Sequence, residues 1–409
     1  MTQNPAEPRT PDATAASPRP PGDDDRVGRA RVAAAIIAPL SARIETERRL
    51  PEEAVRALVD AGVFKLLVPR AYGGAEAPAA TLLSVLETIA RADGSAGWCA
   101  MIGASSGLMS AFLDDETARA IYAPDDAITG GVFAPMGRAT PVDGGFRVSG
   151  RWPFASGCEH AAWRMGGVVV SGAPAAPGAA SGAPDVRSVI FEASETRIVD
   201  TWNVSGLRGT GSHDLEVTDV WVPAARVFSL VGDGGARRPR LAGGTYALPF
   251  FGVLAAGIAA VALGIARASI DALVALARAK QPLGSKRSIA HRELVQQSVA
   301  QAEARVRGGR AFLFEALAAA SAEADARGAA TLEARALLRL AATHATRESA
   351  AAVDLMYEAG GASSIYSSSP LQRCFRDVHV ATQHVMVNPT SATLAGRVLL
   401  GVESDVSTL

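Results

Sequence analysis

Apolar positions recur at helical spacing early in the chain, alternate through its middle, and return to helical spacing towards its end. In "PEEAVRALVDAGVFKLLVP", Val55, Leu58, Val59, Val63 and Leu66 predict a helix that the turn residues of "VPRAYGG" close. "LLSVLETIARADGSAGWCAMIGASSGLMSAFL" predicts two helices broken at Asp93-Gly94-Ser95, with Asp93 or Ser95 capping the second. The grammar then changes. "GGFRVSGRWPFASG", "WRMGGVVVSG", "RSVIFEA", "TRIVDTW" and "DLEVTDVWVP" are short β-branched and aromatic runs divided by Gly and Pro, which predict a small antiparallel β domain, sandwich or barrel. Val295, Val299, Ala302, Val306 and Leu313 restore helical spacing, and Leu337, Leu340, His344, Leu355 and Met356 follow it more loosely. Long helices with short connections predict an antiparallel bundle.

The expected organisation is a tail at 1–25, a helical domain at 26–126, a β domain at 127–235 and a helical bundle at 236–409. The tail is rich in Pro, Ala, Thr and Asp and has no apolar core of the kind a secretory signal needs. Within the β domain, "SGAPAAPGAASGAPD" (171–185) reads as a flexible surface loop. The stretch 241–266, "LAGGTYALPFFGVLAAGIAAVALGIA", carries no charge and is long enough to cross a bilayer. Its Ala and Gly content, Pro249 and lack of flanking aromatics fit a buried bundle helix or a tightly packed subunit interface better than a membrane span.

Composition removes several functions. Forty basic against 41 acidic residues leave a formal charge of −1, and no basic stripe is interleaved with aromatics, so nucleic-acid binding is not expected. Cys99, Cys158 and Cys374 are far apart and in no metal-ligand spacing, which argues for a reducing, cytoplasmic setting and against a zinc site. His379 and His384 are five residues apart, roughly 140° around a helix, and cannot chelate one metal from a shared face. His160, His213, His291 and His344 read as structural. Gly103-Ala104-Ser105-Ser106-Gly107 has the nucleophile-elbow pattern, but it falls inside a predicted helix instead of a strand-to-helix turn. A serine hydrolase on Ser105 is thus a weak alternative, and small residues that let helices approach are the better account. "SGLRGTGSHDLEV" precedes a strand and so is no dinucleotide fingerprint; no phosphate-loop motif occurs.

Taken in order, "ADGSAGW", "GGFRVSGRWPFASG", "GLRGTGSHDLEVTDVWVP" and "YEAGGASSIYSSSPLQRCFRD" with the helix after it resemble the acyl-CoA dehydrogenase superfamily. More specifically they look like its two-component flavin-dependent monooxygenase branch, called group D. The resemblance implies an α+β fold: N-terminal helical domain, central antiparallel β domain and C-terminal four-helix bundle. It places Phe154 against the flavin ring and Ser156 at flavin N5, with Phe133 and Ala134 lining the ring. Gly360 and Gly361 match a glycine pair that a neighbouring subunit approaches at the cofactor's phosphate side, where a missing Cβ permits close contact. Lys280 and Arg287, in "KQPLGSKR", stand where dehydrogenases keep an arginine for the pyrophosphate. Trp98, Met101 and Ser105 are candidates for the substrate pocket, with an ordinary core role as the alternative.

The departure from the dehydrogenases is as informative. Many of them carry a glutamate base shortly after the Arg-Asp pair; counting from Arg376-Asp377, that place holds Val385. Abstraction of a weakly acidic C–H needs a positioned base, and valine is none. His384, one residue earlier, matches the active-site histidine of the monooxygenase branch. An imidazole titrating near neutrality can donate to a peroxide or take a phenol proton. The resemblance therefore implies an oxygenase component that takes reduced flavin (FADH2 or FMNH2) and O2 and works through a C4a-hydroperoxyflavin. Its substrate would be an electron-rich aromatic or indole, or an amine. A separate NAD(P)H-dependent flavin reductase and a homotetramer are implied with it. A desaturase with an unrecognised base is the alternative.

Overall fold

The structure is a computed structural model that describes residues 25–172, 184–230, 240–241, 243–403, 405–406 and 409. The expected tail 1–25 and loop 171–185 lie outside these residues except for Asp25, Ser171, Gly172, Pro184 and Asp185. Six helices come first: α1 (Arg26–Ile37), α2 (Ser41–Glu47), α3 (Glu52–Asp60), α4 (Ala79–Ala92), α5 (Gly94–Ser106) and α6 (Asp115–Tyr122). Asp93, not Ser95, caps α5: its carboxylate accepts the Ala96 amide at 2.9 Å.

Seven strands follow: β1 (Thr129–Val142), β2 (Gly145–Ala155), β3 (Trp163–Val170), β4 (Val186–Glu192), β5 (Arg197–Val199), β6 (His213–Pro223) and β7 (Val227–Phe228). They form one sheet in the order β5-β6-β2-β1-β3-β4-β7. All pairs are antiparallel except β1 and β3. The chain leaves the far end of β2 through residues 156–162, which return it to the start of β1, so β3 runs alongside β1. Trp152 pins this sheet. Its indole donates to the Gly167 carbonyl at 2.7 Å, and it fills a slot where a Cβ on Gly137, Gly150 or Gly166 would lie 2.3–2.6 Å from the ring. Glycines that weaken a strand by propensity are here the condition for packing a large aromatic.

The bundle comprises α7 (Phe250–Ala279), α8 (Glu293–Arg327), α9 (Leu332–Gly360), α10 (Pro370–Ala381) and α11 (Pro389–Leu399). The uncharged stretch becomes α7, the one helix among the described residues long and apolar enough to cross a membrane. It is a core helix: every residue from Gly252 to Ala266 is buried. Its small residues have a spatial reason. A Cβ on Gly264 would meet the Glu87 carbonyl of α4 at 2.5 Å, and one on Gly257 would meet Met101 of α5 at 2.9 Å. Gly97 of α5 lies as close to Ala90 of α4. Three helix backbones thus approach over side chains that are nearly absent.

One loop joins the three units. Residues 205–212 run between β5 and β6, and the Leu207 amide donates to Asp377 of α10 at 2.6 Å. Arg376 reaches both the Ser205 carbonyl and Glu45 of α2. A Cβ on Gly206 would stand 2.3 Å from the Arg376 carbonyl, and one on Gly209 would stand 2.1 Å from Ile44. The glycines of this loop serve close packing between units.

Burial pushes the Asp377 carboxyl up to about 7, against the pull of the Leu207 amide. A carboxyl whose folded value lies above its unfolded one, about 3.9, holds its proton more tightly in the folded state. Its contribution is fully present below the unfolded value and is lost as pH rises through 7. Asp377→Asn keeps an acceptor for Leu207 and stays neutral. Its melting temperature relative to wild type should therefore rise between pH 5 and pH 8; a difference constant with pH would show that no buried charge develops there.

Candidate active site

The site gathers at the contact of α5, the end of β2, the 205–212 loop and the chain that follows α10. Backbone strain sets the first element. Phe154 adopts φ +67°, a left-handed conformation that costs a bulky residue about 1–3 kcal/mol. The register between β2 and β6 is broken at the same place, between Trp152 and Ala155. The Phe154 ring is 68% exposed and meets Trp202 edge-on at 6.1 Å. Ser156, two residues on, is buried.

Ser156 belongs to a chain of hydroxyls. The Trp98 indole N–H donates to Ser156 Oγ at 3.1 Å, Ser156 Oγ lies 2.7 Å from Ser212 Oγ, and Ser212 Oγ lies 2.7 Å from Thr210 Oγ1. The Thr210 hydroxyl donates to the Leu207 carbonyl at 2.8 Å. Trp98 also packs edge-on against His384, with ring centroids 5.7 Å apart.

His379 and His384 part company because α10 ends at Ala381. His379 stays on the half-exposed bundle surface, where Nε2 lies 2.9 Å from Asp354. His384 turns inward and caps a short 3-10 turn: its Nδ1 accepts the Met386 amide at 3.2 Å. An acceptor at Nδ1 puts the proton of the neutral ring on Nε2, making that atom a donor. Burial, with the Arg339 guanidinium adding to it, pushes the imidazole down to about 4, so the ring is neutral at pH 7. Arg339 also holds this turn in place through Met386 Sδ at 3.3 Å and Ser391 Oγ at 3.1 Å. Neither His384 nor Ser156 hydrogen-bonds a carboxylate among the described residues, and Val385, at the place of the dehydrogenase glutamate, is exposed.

The other expected positions divide. Ser105 lies two turns after Trp98 on the same face of α5, and its Oγ is buried without a hydrogen-bond partner among the described residues. It sits within a helix, without the strand-to-helix turn of a hydrolase. Met101 packs against Gly257 of α7. Phe133 and Ala134 occupy a bulge in β1 where the register with β3 shifts, and Phe133 stacks edge-on with Phe250 at 5.0 Å. Lys280 Nζ donates to the Gly360 carbonyl at 3.1 Å, which draws the end of α7 to the glycine turn. Arg287 stands on a loop after α7. A Cβ on Gly360 would lie 2.2 Å from Ser364 Oγ of its own chain. Gly361, at φ +57° with nothing within 4 Å of its Cβ position, is the open member of the pair. Grooves of 560 and 410 Å³ elsewhere share Arg56, Val59 and Asp126 and include none of these residues. No His/Cys/Asp/Glu cluster suited to a metal occurs among the described residues.

Thr210, Ser212 and Arg339 were not singled out by sequence. "GTGSH" does place two hydroxyls between glycines, but only the fold turns them toward Ser156.

A helical domain, a seven-stranded sheet and a bundle in this order, meeting where no described carboxylate bonds His384 or Ser156, have the architecture of an acyl-CoA dehydrogenase-type flavoprotein. The comparisons agree. Residues 28–119 match the acyl-CoA dehydrogenase N-terminal domain, and residues 256–389 match the acyl-CoA dehydrogenase C-terminal domain. An indole-3-acetate monooxygenase of Pseudomonas putida is 35% identical over 87% of this chain and 89% of its own length. An FADH2-dependent resorcinol hydroxylase, oxygenase component, of a Rhizobium species is 30% identical over 92% of this chain and 94% of its own. The crystal structure of 3-HSA hydroxylase from Rhodococcus sp. RHA1 superimposes with a TM-score of 0.84 at 28% identity, covering 95% of this chain and all of that one. The chain belongs to the acyl-CoA dehydrogenase superfamily, in its flavin-dependent monooxygenase branch. It is an oxygenase component whose cosubstrates are reduced flavin and O2.

The tautomer of His384 can be read directly. Nitrogen-15 spectra of histidine-labelled protein, with the His384 signals assigned by their loss in His384→Ala, should show for that ring an unprotonated Nδ1 and a protonated Nε2, and a ring that stays neutral down to about pH 4. Titration near 6.5 would mean that the ring is not held in this position.

Proposed function

We propose that the chain hydroxylates an electron-rich aromatic or indole-type substrate in a pocket beside Trp98, Ser105 and His384. Flavin binds between the sheet and the bundle in this reading. The residues suit it. Phe154 offers an exposed aromatic ring on a strained and therefore fixed backbone, and Ser156 offers an oxygen beside it. Phe133 and Ala134 stand on the bulged strand, and Lys280 meets the Gly360-Gly361 turn, which with Arg287 on the loop after α7 is assigned to the phosphate side. When bound, reduced flavin supplies the two electrons that activate dioxygen.

The observation that carries the reading is a neutral His384 donor where a dehydrogenase needs an anionic base. A ring whose Nδ1 is occupied and whose Nε2 bears the proton stabilises developing negative charge on an oxygen by donating to it. It is poorly placed to take a proton from carbon or from a phenol, so of the two roles open to this imidazole, donation is favoured. A pocket closed to water would keep the oxidant from being diverted to hydrogen peroxide. The unpartnered Ser105 hydroxyl supplies one more polar contact for the substrate.

The names of the relatives, an indole-3-acetate monooxygenase and a resorcinol hydroxylase, support an aromatic substrate over an amine. A separate NAD(P)H-dependent reductase completes the system, since the sequence carries no nicotinamide-binding motif. The exposed Ile365 and Tyr366 beside the glycine turn suit a homotetramer, and three buried free cysteines suit the cytoplasm.

Chemically reduced FAD or FMN, given to the protein with oxygen and a panel of phenols and indoles, should yield hydroxylated product without any reductase present. His384→Ala should lower product per O2 consumed by about tenfold and raise hydrogen peroxide correspondingly. His384→Asn, which retains a side-chain N–H, should lose less. Failure of both flavins to support product, together with bleaching of bound oxidised flavin by an acyl-CoA, would replace this reading with a desaturase.

A further inference from the structure

The hydroxyl chain at Ser156 has a direction that can be worked out proton by proton. A hydroxyl has one proton and two acceptor lone pairs, and an indole N–H can only donate. The Thr210 proton goes to the Leu207 carbonyl, so Thr210 Oγ1 can only accept from Ser212. Ser212 has then spent its single proton, and at 2.7 Å its contact with Ser156 is a hydrogen bond only if Ser156 donates. Ser156 has in turn spent its own. Its oxygen also accepts the Trp98 N–H, which leaves one lone pair and no proton. The reverse order, with Thr210 donating to Ser212 and Ser212 to Ser156, would set Thr210 Oγ1 and the Leu207 carbonyl oxygen lone pair to lone pair at 2.8 Å.

We infer that Trp98, Ser212 and Thr210 fix Ser156 as a hydrogen-bond acceptor and thereby make the site selective for the reduced state of the flavin. The inference rests on the reading that places flavin N5 at Ser156. Reduced flavin carries a proton on N5 and donates it; oxidised flavin has a bare N5 that needs a donor. A buried acceptor facing a bare nitrogen is a repulsive, unsatisfied contact, whereas facing N5–H it is a hydrogen bond. Selection of this kind suits an oxygenase fed by a reductase elsewhere: it captures the reduced cosubstrate and releases the oxidised one. Trp98, Ser212 and Thr210 are positioning residues that act through Ser156.

The two ends of the chain give the test. Thr210→Val removes the acceptor for Ser212, whose proton can then turn to Ser156 and free the Ser156 proton for the flavin. Ser212→Ala frees the Ser156 proton directly. Thr210→Ser restores the relay. Dissociation constants for reduced and oxidised FMN and FAD are measured anaerobically on the full chain, together with the two-electron potential of the bound flavin. Wild type and Thr210→Ser should bind the reduced form more tightly. In Thr210→Val and Ser212→Ala the ratio of the two constants should fall by about tenfold, equivalent to about 30 mV for a two-electron couple. A ratio in folded Ser212→Ala equal to that of wild type overturns the inference while leaving the flavin reading intact. Wild-type protein that binds neither state of either flavin overturns both.

Discussion

Leu207 is the point on which the rest of the site depends. Its amide donates to Asp377 of the bundle, and its carbonyl receives Thr210 and the Trp202 indole. It holds φ +48°, an unfavourable conformation for a branched aliphatic residue, and only contacts on every side can keep it there. One residue thus docks the β domain on the bundle and terminates the chain of hydroxyls that orients Ser156. Docking and hydrogen-bond polarity are set by the same peptide units, so Ser156 cannot be oriented independently of how the units pack.

The second constraint comes from the bundle. His384 has no helix to hold it; the turn after α10 is held instead by Arg339, reaching across from α9 to Met386 and Ser391. Burial keeps the imidazole neutral, and the buried Arg339 cation that this arrangement places near it adds to the effect. Histidine is often valued for titrating near pH 7. Here the surroundings remove that property and leave a fixed donor. With Ser156 as acceptor and His384 Nε2 as donor, the two sides of the pocket carry opposite and unchanging hydrogen-bond character.

This chemistry is the complement of a dehydrogenase built on the same scaffold. Removing a proton from carbon calls for an anion near the flavin; transferring oxygen calls for a dry pocket with neutral donors. In the proposed reading, Val385 at the expected place of a glutamate and the inward turn of His384 account for that change within the same order of helices and strands. The same architecture can serve both reactions because the site lies where the units meet and not within any one of them.

Local pattern was enough to specify the element types: the amphipathic spacing of α3, the Asp93 cap, and the shift to β-branched runs after residue 127 all depend on neighbours in sequence. The missing glutamate was also visible, since it concerns a residue type at a counted position. The parallel pairing of β1 with β3 was not, because register between distant strands is fixed by how the chain returns through residues 156–162. Nor were the reasons for the glycines, which lie in partners far along the chain: the Trp152 ring for Gly166, the Arg376 backbone for Gly206. The roles of Thr210, Ser212 and Arg339 belong to tertiary structure for the same cause. A hydroxyl's direction and an imidazole's protonation depend on what surrounds them in space, and a linear order of residues does not carry that information.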